Sequence, residues 1–154
     1  RYFFTLLGFA VISEIPWYLL NGADGTHNVM FTLALGVATL MVLENLLQRS
    51  MVLGFLWTHG MAGLASWLGV DYEWRGIIVI VIFYLFNVYG HSFPYSRGMQ
   101  FFSTFALMIH YGVIGAVMAC MILYLYNGKR GFVQGSIAKY GFYAFYPAHF
   151  ILFI

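Results

Sequence analysis

The chain has 154 residues, of which 62% are hydrophobic, 21% aromatic and 8% charged, and its formal net charge is +2. A soluble domain carries roughly 45–50% apolar and about 25% charged residues, so this composition excludes one and predicts an integral membrane protein. The seven Lys and Arg residues are spread over separate connectors, which argues against nucleic acid as a partner.

The apolar runs predict an all-α fold, a polytopic transmembrane helical bundle. Against a requirement of roughly 17–25 residues per span, six hydrophobic segments are expected, at about 2–20, 28–48, 51–69, 75–89, 101–126 and 139–154. This number leaves no room for a soluble domain, so residues 1–154 are interpreted as one membrane domain.

The orientation of the bundle follows less clearly from the sequence. With six simple spans the basic residues divide almost evenly between the two sides, which gives no decisive bias under the positive-inside rule. The connector 127–139 is the richest in Lys and Arg, so we expect it in the cytoplasm, and the near tie suggests that one segment is re-entrant.

The first run ends with a carboxylate beside a proline. Glu14 lies two residues before Pro16, which removes a backbone donor and can bend the helix. An ionisable side chain in the bilayer core costs roughly 2.5–3.5 kcal/mol, so Glu14 is a candidate base or a group that orients a histidine. The alternative is a carboxylate near the interface that caps a broken helix.

The second run carries a polar stripe at helical spacing. Asn28, Thr32, Gly36 and Thr39 follow one another at intervals of four, four and three residues, so they lie on one helix face that should look into the protein. Asn28 and Thr32 are candidate substrate-binding residues, although small and polar residues on a membrane helix are most often packing devices.

Three histidines, His59, His110 and His149, lie within apolar runs. His59 and His110 each have a glycine within two residues, and interhelical hydrogen bonding is the common use of such a side chain. His27 and His91 lie in connectors and give no functional signal. No histidine or cysteine spacing predicts a metal site.

The last segment combines a basic loop with an aromatic helix. Tyr146 and His149 share one helix face, where a neutral imidazole can accept a proton and a phenol can donate one. The loop NGKRG precedes them, and its turn and two cations suit phosphate groups. Each feature has a structural alternative: His149 bonded to a carbonyl freed by Pro147, and a basic loop on anionic lipid.

Several stretches of this sequence resemble the TraX family of bacterial membrane proteins, in the same order and with similar spacing. They are RYFFTLLGFAVISEIPWYLL, NVMFTLALGV, DYEWRGIIVIVIFYLF, NGKRG and KYGFYAFYPAHFILF. The resemblance implies an acetyltransferase of the bacterial inner membrane, multi-pass, which is similar to membrane acyltransferases of family 3 and uses acetyl-CoA as donor. The acceptor would be a pilin-like peptide amino terminus or a cell-surface glycan or lipid.

The resemblance assigns roles to particular residues. It implies a catalytic set of His149, Tyr146 and Glu14, a CoA site of Asn127, Lys129, Arg130 and Lys139, and substrate contacts from Asn28 and Thr32. It also carries over Pro16, Asp71, Tyr140 and Pro147, and it implies about two further amino-terminal helices before residue 1.

A second class of function stays open at this point. The alternative is a small transporter or channel-like bundle, in which Glu14, His59, His110 and His149 form a proton or solute path. Replacing Lys129 and Arg130 distinguishes the two classes, because a CoA enzyme needs those charges and a transport path does not.

Overall fold

The computed structural model of this protein describes residues 2–90, 95–126 and 135–152. Within those ranges the secondary structure is helical, apart from one isolated parallel β-bridge between His27 and Val70. The helices are α1 (Tyr2–Asn21), α2 (Val29–Arg49), α3 (Met51–Trp67), α4 (Glu73–Val88), α5 (Ser96–Met108), α6 (Val113–Leu125) and α7 (Ser136–Ile151).

Two of the described helices, α1 with 20 residues and α2 with 21, are long and apolar enough to cross a bilayer. The protein buries only 22% and 33% of their most apolar stretches, so large side chains such as Ile15, Leu19 and Met41 are exposed. Such surfaces need an apolar solvent, and the protein is associated with a membrane. Six spans were predicted; the other described helices have 13 to 17 residues and fall short of this criterion.

The chain divides into two compact units, Arg1–Ile77 with Gly131–Ile154, and Ile78–Arg130. The first unit contains α1, α2, α3, the first turn of α4 and α7. The second contains the remainder of α4 with α5 and α6. That residues 1–154 act as one membrane domain stays a prediction.

In the first unit, α7 runs parallel to α1. Tyr143 stacks on Phe9 at 5.2 Å between ring centroids, and Phe150 meets Trp17 edge-on at 5.5 Å. The short connector after α1 makes α2 antiparallel to it, and the three helices enclose a core built on Leu6, Ala10, Met30 and Ala34. The second half of α7 therefore lies at the end of the unit where α1 ends and α2 begins.

Ser50 joins α2 to α3 within a single residue. Its N–H donates to the Leu46 carbonyl at 2.8 Å, and its hydroxyl accepts from the Val52 N–H at 3.2 Å, so it caps both helices. The Trp57 indole N–H then donates to the Thr39 carbonyl at 3.1 Å. Helix α3 thus returns along α2 and delivers residues 68–71 beside His27.

The polar stripe of α2 faces the protein interior, as predicted. Asn28, Thr32 and Thr39 are each no more than 2% exposed, and Gly36 is buried as well. The Thr39 hydroxyl donates to the Leu35 carbonyl of its own helix at 2.7 Å, which is a packing role.

In the second unit the run 101–126 is two helices, and the prediction of one long span there is wrong. Gly112 has a φ of 127°, in a region that favours glycine, and it ends a 3-10 turn at Ile109–Tyr111. The chain reverses there, so that the Cys120 thiol of α6 returns to the Phe101 carbonyl of α5 at 3.8 Å. Each helix has 13 residues and a length of about 20 Å, shorter than the roughly 30 Å hydrocarbon core.

Candidate functional site

Four polar side chains meet where α1 ends, α2 begins and α7 passes. They are Glu14 from α1, His27 and Asn28 from the residues before α2, and Tyr146 from α7, and together they form the cluster. Helix α1 continues through Pro16, so the expected break in the helix is absent and Glu14 projects from a regular turn.

Glu14 holds a histidine. Its Oε1 lies 2.5 Å from Nδ1 of His27, and because an ionised carboxylate only accepts, Nδ1 carries the hydrogen and donates it. This contact fixes the tautomer and leaves Nε2 as the basic nitrogen. The His27 side chain is 44% exposed and that of Glu14 is 30% exposed, so a reactant can reach the ring.

Asn28, the cap residue of α2, is hydrogen-bonded to Glu14. Its amide nitrogen donates to the other Glu14 oxygen at 2.6 Å and to the Ala10 carbonyl at 2.9 Å, while its Oδ1 accepts from the Met30 N–H at 3.1 Å as the cap of α2. These contacts use both hydrogens of the amide group. Asn28 is thus placed to position Glu14, and its direct contact with substrate stays a prediction.

Tyr146 contributes a hydroxyl to the same place. Its oxygen accepts the backbone N–H of Val29 at 3.3 Å, at the first turn of α2. A phenol that accepts one bond still has its own hydrogen to donate. The positive end of the α2 dipole lies beside it, which favours negative charge near this hydroxyl.

The loop between α3 and α4 is hydrogen-bonded to the backbone of His27. The His27 N–H donates to the Gly69 carbonyl at 2.9 Å, and the Asp71 N–H donates to the His27 carbonyl at 2.8 Å. The Thr32 hydroxyl donates to the Asp71 carbonyl. Thr32 therefore positions this loop, and its contact with substrate stays a prediction.

Asp71 brings a second carboxylate near the cluster. Burial raises the pKa of Asp71, and the hydrogen bond from the Tyr72 N–H at 2.9 Å acts in the opposite direction. Tyr146 interacts electrostatically with both Asp71 and Glu14. Tyr72 and Glu73 adopt positive φ angles of 63° and 45°, and such strain persists only where neighbouring contacts hold it.

The connector between α1 and α2 is fixed by its own contacts. The N–H and hydroxyl of Thr26 donate to Asp24 at 2.9 and 2.8 Å, and these two bonds lower the pKa of Asp24. The Trp17 indole N–H donates to the Thr26 carbonyl at 3.1 Å. Thr26 and Asn28, the two sequence neighbours of His27, are therefore both fixed by hydrogen bonds.

Ser13, next to Glu14, has a buried hydroxyl. It is 0% exposed, and no described residue hydrogen-bonds to its oxygen. It is a further polar group inside the α1, α2 and α7 assembly.

His149 lies at the edge of the cluster rather than inside it. Its side chain is half-buried, its Nδ1 is 3.3 Å from the Phe145 carbonyl of the same helix, and its ring is 5.3 Å from that of Tyr146. His59 makes the same kind of contact, with Nδ1 2.9 Å from the Phe55 carbonyl. A catalytic role for His149 stays a prediction.

Lys139 lies at the other end of α7. Ten residues separate it from His149, about 15 Å along the helix axis, and its ammonium lies 5.9 Å from the centre of the Tyr140 ring. Asn127, Lys129 and Arg130 lie outside the described residues. The predicted CoA site therefore stays a prediction.

His27 is the residue that the sequence interpretation missed. It was set aside as a connector histidine, yet it is the partner of Glu14. The available signal was its position directly before the cap Asn28, because a short connector turns the first residues of α2 toward the last turns of α1.

A cavity of about 310 Å³ opens beside His27. Nine described residues line it, of which eight are apolar and the ninth is His27. It follows the groove between α1 and α2, from His27 and Phe31 to Phe3 and Ala38. His27 thus borders an apolar space.

These features define a helical, membrane-associated protein with a glutamate–histidine pair beside a tyrosine hydroxyl. The TraX protein family profile matches residues 1–154, and the chain belongs to that family, as its motifs predicted. The chain is also 28% identical to a protein of Dichelobacter nodosus described as "Probable fimbrial assembly protein FimC, serogroup H1". That alignment covers 182 positions, 99% of this chain and 69% of the relative. No solved structure matches significantly.

Proposed function

We propose that this protein is an acetyltransferase of the bacterial inner membrane, which moves an acetyl group from acetyl-CoA to an amine or hydroxyl. The single observation that carries the proposal is the Glu14–His27 pair, with the Tyr146 hydroxyl beside it. Family membership supports a pilus-related role, since the Dichelobacter relative is described as a fimbrial assembly protein. The acceptor is then a pilin-like amino terminus or a surface glycan or lipid.

The pair would act as a general base. Nε2 of His27 takes the proton of the acceptor as its nitrogen or oxygen attacks the thioester carbonyl, and Glu14 stabilises the imidazolium that forms. The carbon–sulfur bond then breaks, and His27 returns the proton to the departing CoA thiolate. The Tyr146 hydrogen donates to the carbonyl oxygen while it carries negative charge.

The charges of the first unit support a particular arrangement of donor and acceptor. Glu14, Asp24, Asp71 and Glu73, four of the five acidic residues of the chain, lie at the His27 end of this unit, together with the cation Arg75. Lys139 and Arg49 lie at the opposite end, because α7 runs parallel to α1 and antiparallel to α2.

The CoA phosphates would therefore bind at the Lys139 end, since carboxylates repel them. Lys129 and Arg130, which the sequence also predicts for the CoA site, lie outside the described residues. Tyr146 lies about 10 Å along α7 from Lys139, a distance that the pantetheine arm can cover. By the positive-inside rule the Lys139 end is cytoplasmic, and the protein is multi-pass with α1 and α2 as its clearest spans.

Transfer from radiolabelled acetyl-CoA by the purified protein in detergent tests the proposal. Replacing His27 by Gln should lower kcat at least about 100-fold, because a positioned base contributes roughly 100- to 10,000-fold. His59→Gln is the matched control, since His59 is exposed and contacts its own helix. Equal activity of the two variants would show that His27 is not the base.

The donor site needs a separate measurement. Acetyl-CoA binding by calorimetry should weaken about tenfold or more in a Lys129→Ala, Arg130→Ala variant, and also in Lys139→Ala, because each removes charge-assisted phosphate contacts. Absence of binding to the folded wild-type protein would refute the acetyl-CoA proposal. The contacts of His59 and His149 with their own helices give less support to the transport alternative.

A further inference from the structure

We infer that the cavity beside His27 binds the single hydrocarbon chain of an amphiphilic acceptor, whose amine or hydroxyl lies at the His27–Glu14 pair. This inference rests on the proposed function and narrows the acceptor to a lipid-like molecule. Its basis is the shape, lining and position of the cavity.

The position of the cavity assigns it to the acceptor. A general base must lie within hydrogen-bonding reach of the proton that it removes, and that proton belongs to the acceptor. His27 is itself part of the cavity wall. A molecule that fills the cavity therefore presents its polar end to the base.

The shape of the cavity fits a chain. Phe31, Leu35 and Ala38 follow one another along one face of α2, and Phe3 and Leu7 face them from α1. Phe31 to Ala38 covers about 10 Å of the helix axis, and His27 lies one step beyond, with its ring 5.6 Å from that of Phe31. The space is elongated, and its polar residue lies at one end.

The volume sets the length of the chain. An apolar cavity of roughly 150 Å³ holds one benzene molecule, so the 310 Å³ found here suits roughly ten to twelve carbon atoms. An acetyl group would leave most of it empty. A helix has a diameter of about 10–12 Å and does not fit.

The lining distinguishes a hydrocarbon from an extended peptide or the pantetheine arm. Both of those carry amide groups, and a buried amide without a partner costs roughly 1–3 kcal/mol on the scale of protein substitutions. Eight of the nine described lining residues are apolar side chains that offer no such partner. A sugar would face the same difficulty with its hydroxyls.

The polarity at the His27 end complements the head group of such an acceptor. Nε2 of His27 meets the hydroxyl or the neutral amine, which an ammonium becomes by losing one proton to solvent before the attack. Glu14 and Asp71 add negative charge nearby, which favours such a polar head group. A primary amine on a linear chain combines both properties. The simplest probes are therefore n-alkylamines.

The first experiment measures acetyl transfer to n-alkylamines from butylamine to dodecylamine. For wild type, KM should fall about three- to fourfold with each added methylene until the chain fills the cavity, and then stop falling. Ala38→Leu should move that limit to shorter chains and lower kcat/KM about tenfold for decylamine, and by much less for butylamine. Leu35→Ala should move the limit to longer chains.

Leu33→Ala is the matched control for Leu35→Ala. It makes the same change on the same helix at an exposed position, and its chain-length profile should equal that of wild type. The amines partition into detergent to the same extent for every variant. The ratio of kcat/KM between two variants is therefore unaffected by this partitioning.

The second experiment does not depend on activity. A decylamine with a diazirine at its terminal carbon should label peptides that contain Leu35 and Ala38, and dodecylamine should compete with it. The Ala38→Leu variant should lose most of this label.

The outcomes separate the two proposals. Transfer that is independent of chain length, or that acetylates pilin-like peptides alone, would overturn the lipid acceptor and leave the acetyltransferase intact. Labelling of the cavity without any transfer would support the chain site and count against the acetyltransferase. Labelling that dodecylamine does not displace, or that misses α2, would overturn the inference.

Discussion

Asn28 gives the most direct test of how the cluster is assembled, because one fully buried side chain makes three contacts in it. Replacing it by Ala removes the cap of α2, worth roughly 0.5–2 kcal/mol, and the bond to the Glu14 carboxylate, worth about 1.5–3 kcal/mol. It also leaves the Ala10 carbonyl without this donor, at about 1–3 kcal/mol. These losses share one side chain and overlap, so we expect about 3–5 kcal/mol in total.

A second substitution separates the cap from the rest. Asn28→Ser keeps a cap oxygen for the Met30 N–H and loses the amide donors, so it should be about 1 kcal/mol more stable than Asn28→Ala. At about 2–4 °C per kcal/mol for a chain of this size, Asn28→Ala should lower Tm by about 6–20 °C. Asn28→Ser should lie about 2–4 °C above it.

The assay is thermal unfolding in detergent, followed by far-UV circular dichroism. Asn45→Ala is the control, since Asn45 is on the same helix and exposed, and its Tm should change by no more than about 2 °C. If Asn28→Ala behaved like Asn45→Ala, the contacts of Asn28 would not stabilise the protein and the reasoning would be refuted.

Further predictions concern the hydroxyl, the second carboxylate and the supporting loop. Tyr146→Phe should lower kcat about 100-fold with little change in Tm, because it removes the donor to the oxyanion; an unchanged kcat would exclude that role. Burial raises the pKa of Asp71 above 3.8, so its ionisation opposes folding and stability falls as pH rises through the window between 3.8 and the folded pKa. Asp71→Asn should therefore raise Tm by up to a few degrees at pH of about 7 and by less at pH of about 4; an equal gain at both would contradict this sign. Gly69→Ala should cost about 2–4 kcal/mol, because Gly69 has a φ of 64° and an added methyl group would lie 2.6 Å from the Gly25 carbonyl oxygen. The control is Gly63→Ala, whose methyl group would lie in open space and should not destabilise the protein. Equal unfolding midpoints for the two variants would refute the close packing at Gly69.

Local patterns predicted the parts of this structure that depend on local physics. The spacing of Asn28, Thr32 and Thr39 on α2 was enough to show which face is buried, because helix geometry fixes it. Glu14 was recognised from its cost in an apolar run, and the structure gives it partners that offset this cost.

The missed features depend on turns and on distant contacts. The break at Gly112 lay within an apolar run that hydropathy reads as continuous, although an isolated glycine was a signal for it. His27 gained its importance from a carboxylate on another helix. The parallel pairing of α7 with α1, which brings Tyr146 to Val29, has no local signature.

The pairing of the first and last described helices has a consequence for biogenesis. A nascent chain inserted as far as α4 already contains Glu14, His27, Asn28 and Asp71, but the phenol of Tyr146 is still to be synthesised. The proposed oxyanion donor would therefore be added only when the last helix docks. If the proposed mechanism holds, an unfinished or truncated chain would contain the base without its hydrogen-bond donor and would be inactive in the membrane.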